Sequence, residues 1–439
     1  MSETPYDEHF VSWFRAVTPY INAFRGKTFV IAFGGKAVAS EFAKTLAYDV
    51  NLLVSLGIRL VLVHGARPQI EEELREKNLE SKYHRGYRIT DAETLDCVLD
   101  AVGSVYLEIE AMLSQGLPNT PMANSRIRVI GGNFITGQPI GVLDGIDMHY
   151  AGKVRKVDAE GINAQLGLGN IVLLNCEGPS PTGEIFNLQM EEAAEAVAAA
   201  LKADKLVYLT DSRGVTDPSG ELLDAMTADE VAETMKSGEW LSTDIRRYLP
   251  CAERASRAGV GRVHLIGFEQ DGALLRELFT HDGVGTVVTR ESLENIREAK
   301  PDDIGALIAL IEPMEEEGIL VHRPRELLER EIEHFSIMEH DGIIVGCAAL
   351  YGHSEEEAEL ACLAVSAEHR EWGYGEQLMK RIERRARKAG VKRLFVLTTR
   401  TEHWFVERGF KLGSVDDLPA RKRDMYNYQR RSKVLFKTL

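Results

Sequence analysis

Short apolar runs alternate with helix-length amphipathic stretches along this chain, and that alternation limits its possible folds more than any other feature. Strand-length runs lie at 28–33, 59–63, 127–131, 171–175, 205–210 and 262–266, and helical spacing occupies 41–56, 69–77, 190–201 and 250–258. Near-continuous apolar strands separated by helices belong to parallel sheets covered on both faces. The first fold class expected is therefore α/β, a doubly wound parallel sheet. The segment 85–115 and a hairpin-like stretch at 150–156 elaborate it. A second alternating series follows, with strands at 296–299, 335–339, 343–351, 359–365, 393–398 and 433–436. Its helices are expected at 301–311, 325–331, 376–388 and 403–408, and Asp341-Gly342 reads as a hairpin turn. A chain of 439 residues exceeds one ordinary domain. The expected division is an N-terminal helix at 1–26, a first domain at 27–286, a linker at 287–294 and a second domain at 295–439. Phe10, Trp13, Phe14, Val17 and Ile21 fall at helical spacing, either packed on their own domain or serving as an oligomerisation arm.

The second series contains the most chemically specific string, Arg370-Glu371-Trp372-Gly373-Tyr374-Gly375, between an apolar strand and a basic helix. Gly373 and Gly375 let backbone approach a ligand, and a helix N-terminus presents unpaired N–H groups and a favourable dipole to an anion. Strand, R-x-x-G-x-G turn and helix together read as a pyrophosphate cradle, with Arg370, Gly373 and Gly375 holding the phosphates. The net charge of −16 argues against nucleic-acid binding. From Arg370 to Lys433, however, basic residues outnumber acidic ones about two to one, which fits a small anionic ligand. Five scattered cysteines form no C-x-x-C pair, so reduced thiols fit better than a disulfide framework or a metal site. The acidic N-terminus lacks a secretory signature, and no run approaches the ~20 apolar residues of a membrane span. A cytoplasmic protein without a metal is expected.

Phe33-Gly34-Gly35-Lys36, His64-Gly65-Ala66-Arg67-Pro68-Gln69-Ile70 and Thr210-Asp211-Ser212-Arg213-Gly214 resemble the amino acid kinase family, most closely its acetylglutamate kinase branch. Ala66-Arg67 replaces two glycines of that family's phosphate loop. The positions of its catalytic Asp and Lys fall loosely at Asn187–Met190 and Ile245–Tyr248, without either residue. Phosphoryl transfer needs cations and a metal carboxylate beside the moving charge, so no kinase chemistry is expected here. In the arginine-sensitive branch of the family, arginine binds beside the N-terminal helix. The resemblance places His264, Glu277, Gly283 and Gly285 at such a site, with Glu277 facing a guanidinium or ammonium group.

Strand, cradle, helix, strand and Trp404-Phe405-x-x-Arg408-Gly409-Phe410 resemble the GNAT acetyltransferases, which implies a C-terminal α/β GNAT domain using acetyl-CoA as cosubstrate. The resemblance implies that Cys362, Leu363 and Val365 offer backbone to the pantetheine arm and that Phe405 lines the pocket. Amine acetylation needs a base, read as Glu359 at the head of the strand, and a proton for the departing thiolate. Thr398 and Thr401 are positioned for the latter, with Tyr426 and Tyr428 as weaker rivals. The cationic tail selects a carboxylated acceptor through Arg421, Arg423, Arg430 and Ser432, and two separate arginine forks suit a dicarboxylic amino acid such as L-glutamate.

The run Tyr426-Asn427-Tyr428-Gln429-Arg430-Arg431-Ser432-Lys433-Val434-Leu435, with the order of the two domains, resembles the bacterial N-acetylglutamate synthases over essentially the whole chain. That resemblance implies acetyl transfer to L-glutamate, L-arginine as feedback inhibitor, and a homo-oligomer. A bifunctional synthase–kinase and a non-catalytic arginine sensor that binds acetyl-CoA are the alternatives.

Overall fold

The computed structural model describes residues 5–280, 283–290, 294–340, 342–370 and 372–439. The contacts divide the chain into two units, Met1–Glu291 and Ser292–Leu439.

In the first unit, Thr28–Phe33 and Lys205–Thr210 are buried along their whole length, which is why they read as unbroken apolar runs. They lie central in a parallel series ordered Arg262–Gly267, Lys205–Thr210, Thr28–Phe33, Arg59–His64, Ile171–Leu174 and Val129–Ile130. Thr286–Thr289 joins antiparallel beside Arg262–Gly267, and Ala225–Thr227 lies outside it. Residues 287–289, expected in a linker, thus belong to the sheet, while 291–293 lie outside the described residues.

Two further expectations change. The helix expected at 250–258 is Ile245–Arg257, with Pro250 inside it. Proline loses one helical hydrogen bond, yet Ile245, Tyr248, Leu249, Ala252 and Ala255 bury one face and hold the helix together. The stretch at 150–156 closes no hairpin of its own, since Gly152–Val157 pairs with Ile135–Pro139.

The N-terminal helix Pro5–Phe24 packs through its C-terminal half. Val17 is buried, and Phe24 meets Phe29 and Phe279 edge-on at 5.4 and 5.6 Å. Trp13 and Phe14 are exposed, and the Phe10 side chain lies outside the described residues.

The second unit forms a sheet ordered Glu294–Glu298, Phe335–His340, Ile343–Gly352, Glu357–Val365, Arg393–Thr398, Lys433–Thr438 and Lys411–Gly413. Its neighbours are antiparallel except Glu357–Val365 with Arg393–Thr398, which run parallel. Gly342 adopts φ 76° after Phe335–His340, as the expected turn requires, and Asp341 lies outside the described residues. Helix Tyr374–Lys388 covers the sheet by burying Tyr374, Leu378, Ile382 and Ala386, one residue per turn.

Candidate functional site

The parallel pairing in the second unit is short. Glu357, Ala358 and Glu359 pair with Arg393, Leu394 and Phe395, and the register then ends. Beyond Glu359 the two strands part, leaving one edge of residues 360–365 without a strand neighbour among the described residues. The opposite edge is distorted as well: the register against Ile343–Gly352 shifts between Cys347 and Ala349, and Cys362 has φ 49°. Such a bulge re-aims a strand and frees backbone groups. Leu363 and Val365 are half-buried beside this opening, so their main chain can serve a ligand. Cys362 contributes conformation rather than its thiol, which is buried, and its carbonyl lies 3.4 Å from Cys347 Sγ.

The strand runs directly into the glycine turn. Arg370 is exposed and makes no hydrogen bond or ion pair among the described residues, and Glu371 lies outside them. Gly373 caps the helix at φ 77°, where any side chain would be strained. A Cβ on Gly375 would stand 3.4 Å from Trp404 and 3.8 Å from Val365, so this glycine keeps the cradle floor low. Arg408 stacks on Trp404 at 4.0 Å, and Trp404 meets Phe405 edge-on at 5.0 Å. Phe405 itself is buried against Phe410 at 5.3 Å, so it supports the wall from behind and presents no open face.

Glu359 stands where the strands part, 93 % buried by the complement of its 7 % exposure. His353 Nε2 lies 3.2 Å from its carboxylate and Lys422 Nζ 2.6 Å. Burial pushes its pKa up, but His353 and Lys422 more than offset this and hold the carboxyl below its ordinary range. Of the basic triplet, then, Lys422 reaches the site. Arg421 and Arg423 are exposed on a short helix, and Arg423 points to the Asp416 carbonyl at 3.4 Å. The triplet's helical turn sends alternate residues to different sides, and the string alone does not show which side faces inward.

Arg430 does turn inward. Its Nη2 donates to the Ile319 and Gly318 carbonyls at 2.5 and 3.3 Å, at the end of helix Ile304–Glu316. Burial and the neighbouring Arg323 lower its pKa. Arg323, which the sequence did not single out, donates to the Val321 carbonyl at 2.9 Å. Two neighbouring guanidiniums are chemically suited to a carboxylate. The available signal was the His322-Arg323-Pro324-Arg325 string, which reads as an ordinary helix lead-in.

Ser432 is buried, its carbonyl accepts from Tyr426 Oη at 2.6 Å, and its hydroxyl makes no hydrogen bond among the described residues. Thr398 and Thr401 differ: their hydroxyls bond each other at 2.8 Å, and Thr398 Oγ1 accepts from the Thr401 amide at 3.1 Å. They close the turn into helix Glu402–Glu407. Tyr428 is 70 % exposed and stands edge-on to Tyr426 at 5.0 Å.

Residues 27–267 match the amino acid kinase family, and residues 304–410 match the acetyltransferase (GNAT) family. An amino-acid acetyltransferase of Ralstonia nicotianae is 51 % identical, covering 99 % of this chain and 97 % of its own length. One of Azotobacter vinelandii is 51 % identical over 98 % of this chain and 99 % of its own. The chain belongs to the amino-acid acetyltransferase family. N-acetylglutamate synthase of Neisseria gonorrhoeae, solved with coenzyme A and L-arginine, is 42 % identical with a TM-score of 0.90, covering 98 % of this chain and 99 % of that one. The same synthase has also been solved with coenzyme A and N-acetyl-glutamate.

In the first unit His264, Glu277, Gly283 and Gly285 lie side by side. His264 Nδ1 lies 2.7 Å from Glu277 Oε1, and the amides of Val284 and Gly285 donate to Glu277 Oε2 at 2.7 and 3.0 Å. A Cβ on Gly283 would stand 2.7 Å from that carboxylate, and Asp282 lies outside the described residues. Glu277 thus accepts from two backbone amides and meets His264, and among the described residues its Oε1 carries only the contact to the imidazole. Burial raises its pKa, while His264 and the two amides outweigh it and keep it ionised. Sequence reading also missed Lys205, whose Nζ lies 3.1 Å from His264 Nε2. Burial pushes the lysine down to about 7, and burial with the Lys205 charge pushes His264 down to about 4. Neutral His264 then donates from Nδ1 to Glu277 and accepts at Nε2 from Lys205. The signal was a lysine opening a wholly buried strand.

The kinase-type loops surround a cavity of about 400 Å³. Lys36 and Asp211 pair across it at 2.5 Å. Ala66 is buried, and Arg67 lines the cavity, the two standing at the positions that the family's phosphate loop fills with glycines. Gln189 donates to the Gly86 carbonyl at 3.0 Å, and Arg247 occupies the cavity near the position expected for the catalytic lysine.

Proposed function

We propose that the second unit transfers the acetyl group of acetyl-CoA to the amino group of L-glutamate, giving N-acetyl-L-glutamate and CoA. The observation that carries this reading is the parting of two strands directly beyond a buried, ionised Glu359. The free-edged strand leads from there to the glycine cradle, and the Arg323–Arg430 pair supplies carboxylate recognition in the same unit. The thioester brings an activated acetyl group, and the remaining steps fall to this chain's residues and the acceptor.

Arg370 and the amides around Gly373 and Gly375 hold the pyrophosphate. The Leu363 and Val365 main chain aligns the pantetheine arm, with a backbone N–H near Leu363 facing the developing oxyanion. Arg323 and Arg430 take the glutamate carboxylates. Glu359 accepts the ammonium proton through an ordered water, a role suited to a carboxylate held ionised by His353 and Lys422. The neutral amine attacks the thioester carbonyl carbon, and collapse of the tetrahedral adduct breaks the C–S bond. The Thr398–Thr401 hydroxyl pair, at the end of the parting strand, donates the proton to the departing thiolate.

The first unit, in this proposal, carries no phosphoryl transfer and binds L-arginine as feedback inhibitor beside His264, Glu277, Gly283 and Gly285. Arginine controls transfer only by discriminating between two arrangements of the protein. We further propose a cytoplasmic homo-oligomer. All five cysteines are free and buried, which fits a reducing compartment. Thiol release from acetyl-CoA in the presence of L-glutamate tests the reading. The expected result is glutamate-dependent CoA production that L-arginine suppresses, and an absence of CoA production overturns it.

A further inference from the structure

The glycine turn of the second unit is built over a cluster of rings. His369, Trp372 and Tyr374 come from the turn itself, and His340 comes from the end of strand Phe335–His340. His340 follows Ser336 and Met338 on the strand face that helix Tyr374–Lys388 covers, where Arg385 donates to Ser336 Oγ at 2.9 Å. The His369 ring centroid lies 4.9 Å from that of Trp372 and stacks on Tyr374 at 6.0 Å, and His340 meets Trp372 edge-on at 5.2 Å. Two hydrogen bonds tie the cluster together: Ser366 Oγ with His369 Nδ1 at 2.6 Å, and Tyr374 Oη with His340 Nδ1 at 2.8 Å. Tyr374 is fully buried and His369 is 3 % exposed. Tyr374 also stands between Gly373 and Gly375, so it is the one residue of that triplet with a side chain to anchor. A turn of two glycines has more conformations to lose on gripping a ligand than other turns, and ordering it beforehand removes that cost from binding.

We infer that His340 and Tyr374 are positioning residues for acetyl-CoA, their hydrogen bond holding the turn in the shape that its pyrophosphate needs. Tyr374 does not act by contact: its ring lies in the core with Leu378 and Ile382, and it acts through the backbone of the two glycines beside it. His340 brings the anchor from a strand outside the turn, so the turn is fixed against the sheet as well as within itself. This role rests on the turn holding coenzyme A, as proposed above.

The test measures coenzyme A affinity by isothermal titration calorimetry, together with steady-state kinetics, in the full chain and in Tyr374→Phe, His340→Ala and His340→Asn. Phenylalanine keeps the ring and removes only the hydroxyl, and asparagine keeps a donor and an acceptor near the place of Nδ1. Tyr374→Phe and His340→Ala are expected to weaken coenzyme A and raise KM for acetyl-CoA by about fivefold, the effect of one net hydrogen bond, with kcat and KM for L-glutamate unchanged. His340→Asn recovers most of the loss. Unchanged coenzyme A affinity in Tyr374→Phe, losses shared equally with kcat or with KM for L-glutamate, or an asparagine no better than alanine overturns the inference. If the unaltered protein binds no coenzyme A, the acetyl-transfer reading falls and this role falls with it.

Discussion

Two turns in this protein start from the same strand–turn–helix geometry and end in opposite conditions. At Gly373–Gly375 the floor is bare: Gly373 sits at φ 77°, and Gly375 leaves only 3.4 Å between a would-be Cβ and Trp404. At Gly65–Arg67 a buried alanine and a guanidinium occupy the equivalent place at the start of helix Arg67–Glu76. A helix N-terminus favours an anion in both cases, but the side chains on the turn decide which anion can approach. The two turns differ chiefly in the side chains they carry, bare glycine in one and Ala66-Arg67 in the other.

The largest effect is expected at the carboxylate beyond which the strands part. Glu359→Gln should lower kcat by roughly 10²–10⁴-fold, the range of general-base contributions, with CoA affinity unchanged. A parallel loss of CoA affinity would show that Glu359 supports the split structurally. Next comes the cradle. Gly375→Leu forces a side chain against Trp404 and should raise KM for acetyl-CoA by about tenfold or more at unchanged KM for glutamate. The complementary change, Arg430→Lys, removes a planar fork and should raise KM for glutamate by about tenfold with acetyl-CoA unaffected.

A smaller effect separates the first unit by pH. An unfolded lysine keeps its proton to about pH 10.4, whereas buried Lys205 releases it above about 7. Between those limits the unfolded chain binds more protons, so stability rises with pH by up to about 1.4 kcal/mol per unit. Chemical denaturation of Lys205→Met should show a flatter pH dependence from 7 to 10 than the wild type.

The sheets were legible because buried parallel strands cannot hide their apolar runs, and the glycine turn because a strand precedes it and a helix follows it. Family resemblance carried the chemistry further than spacing could, since Glu359 alone reads as one more acid after Glu355-Glu356-Glu357. What stayed hidden depends on side-chain direction. Lys422 faces Glu359 while Arg421 and Arg423 face outward, and Arg323 joins Arg430 from a segment distant in sequence. Thr398 and Thr401 read as hydroxyls able to reach the sulfur, and a sequence does not display that they also bond each other in the helix-entry turn. Nor does it display the two backbone amides and the histidine that hold Glu277 in place.

The contrast between the two turns is tested most directly by running one preparation of the intact protein in two assays. The first follows CoA and N-acetyl-L-glutamate formed from acetyl-CoA and L-glutamate, and the second follows ATP-dependent phosphorylation of N-acetyl-L-glutamate. The account predicts robust turnover in the first and none in the second. Phosphorylation at a comparable rate, or acetyl transfer that is absent, would contradict it.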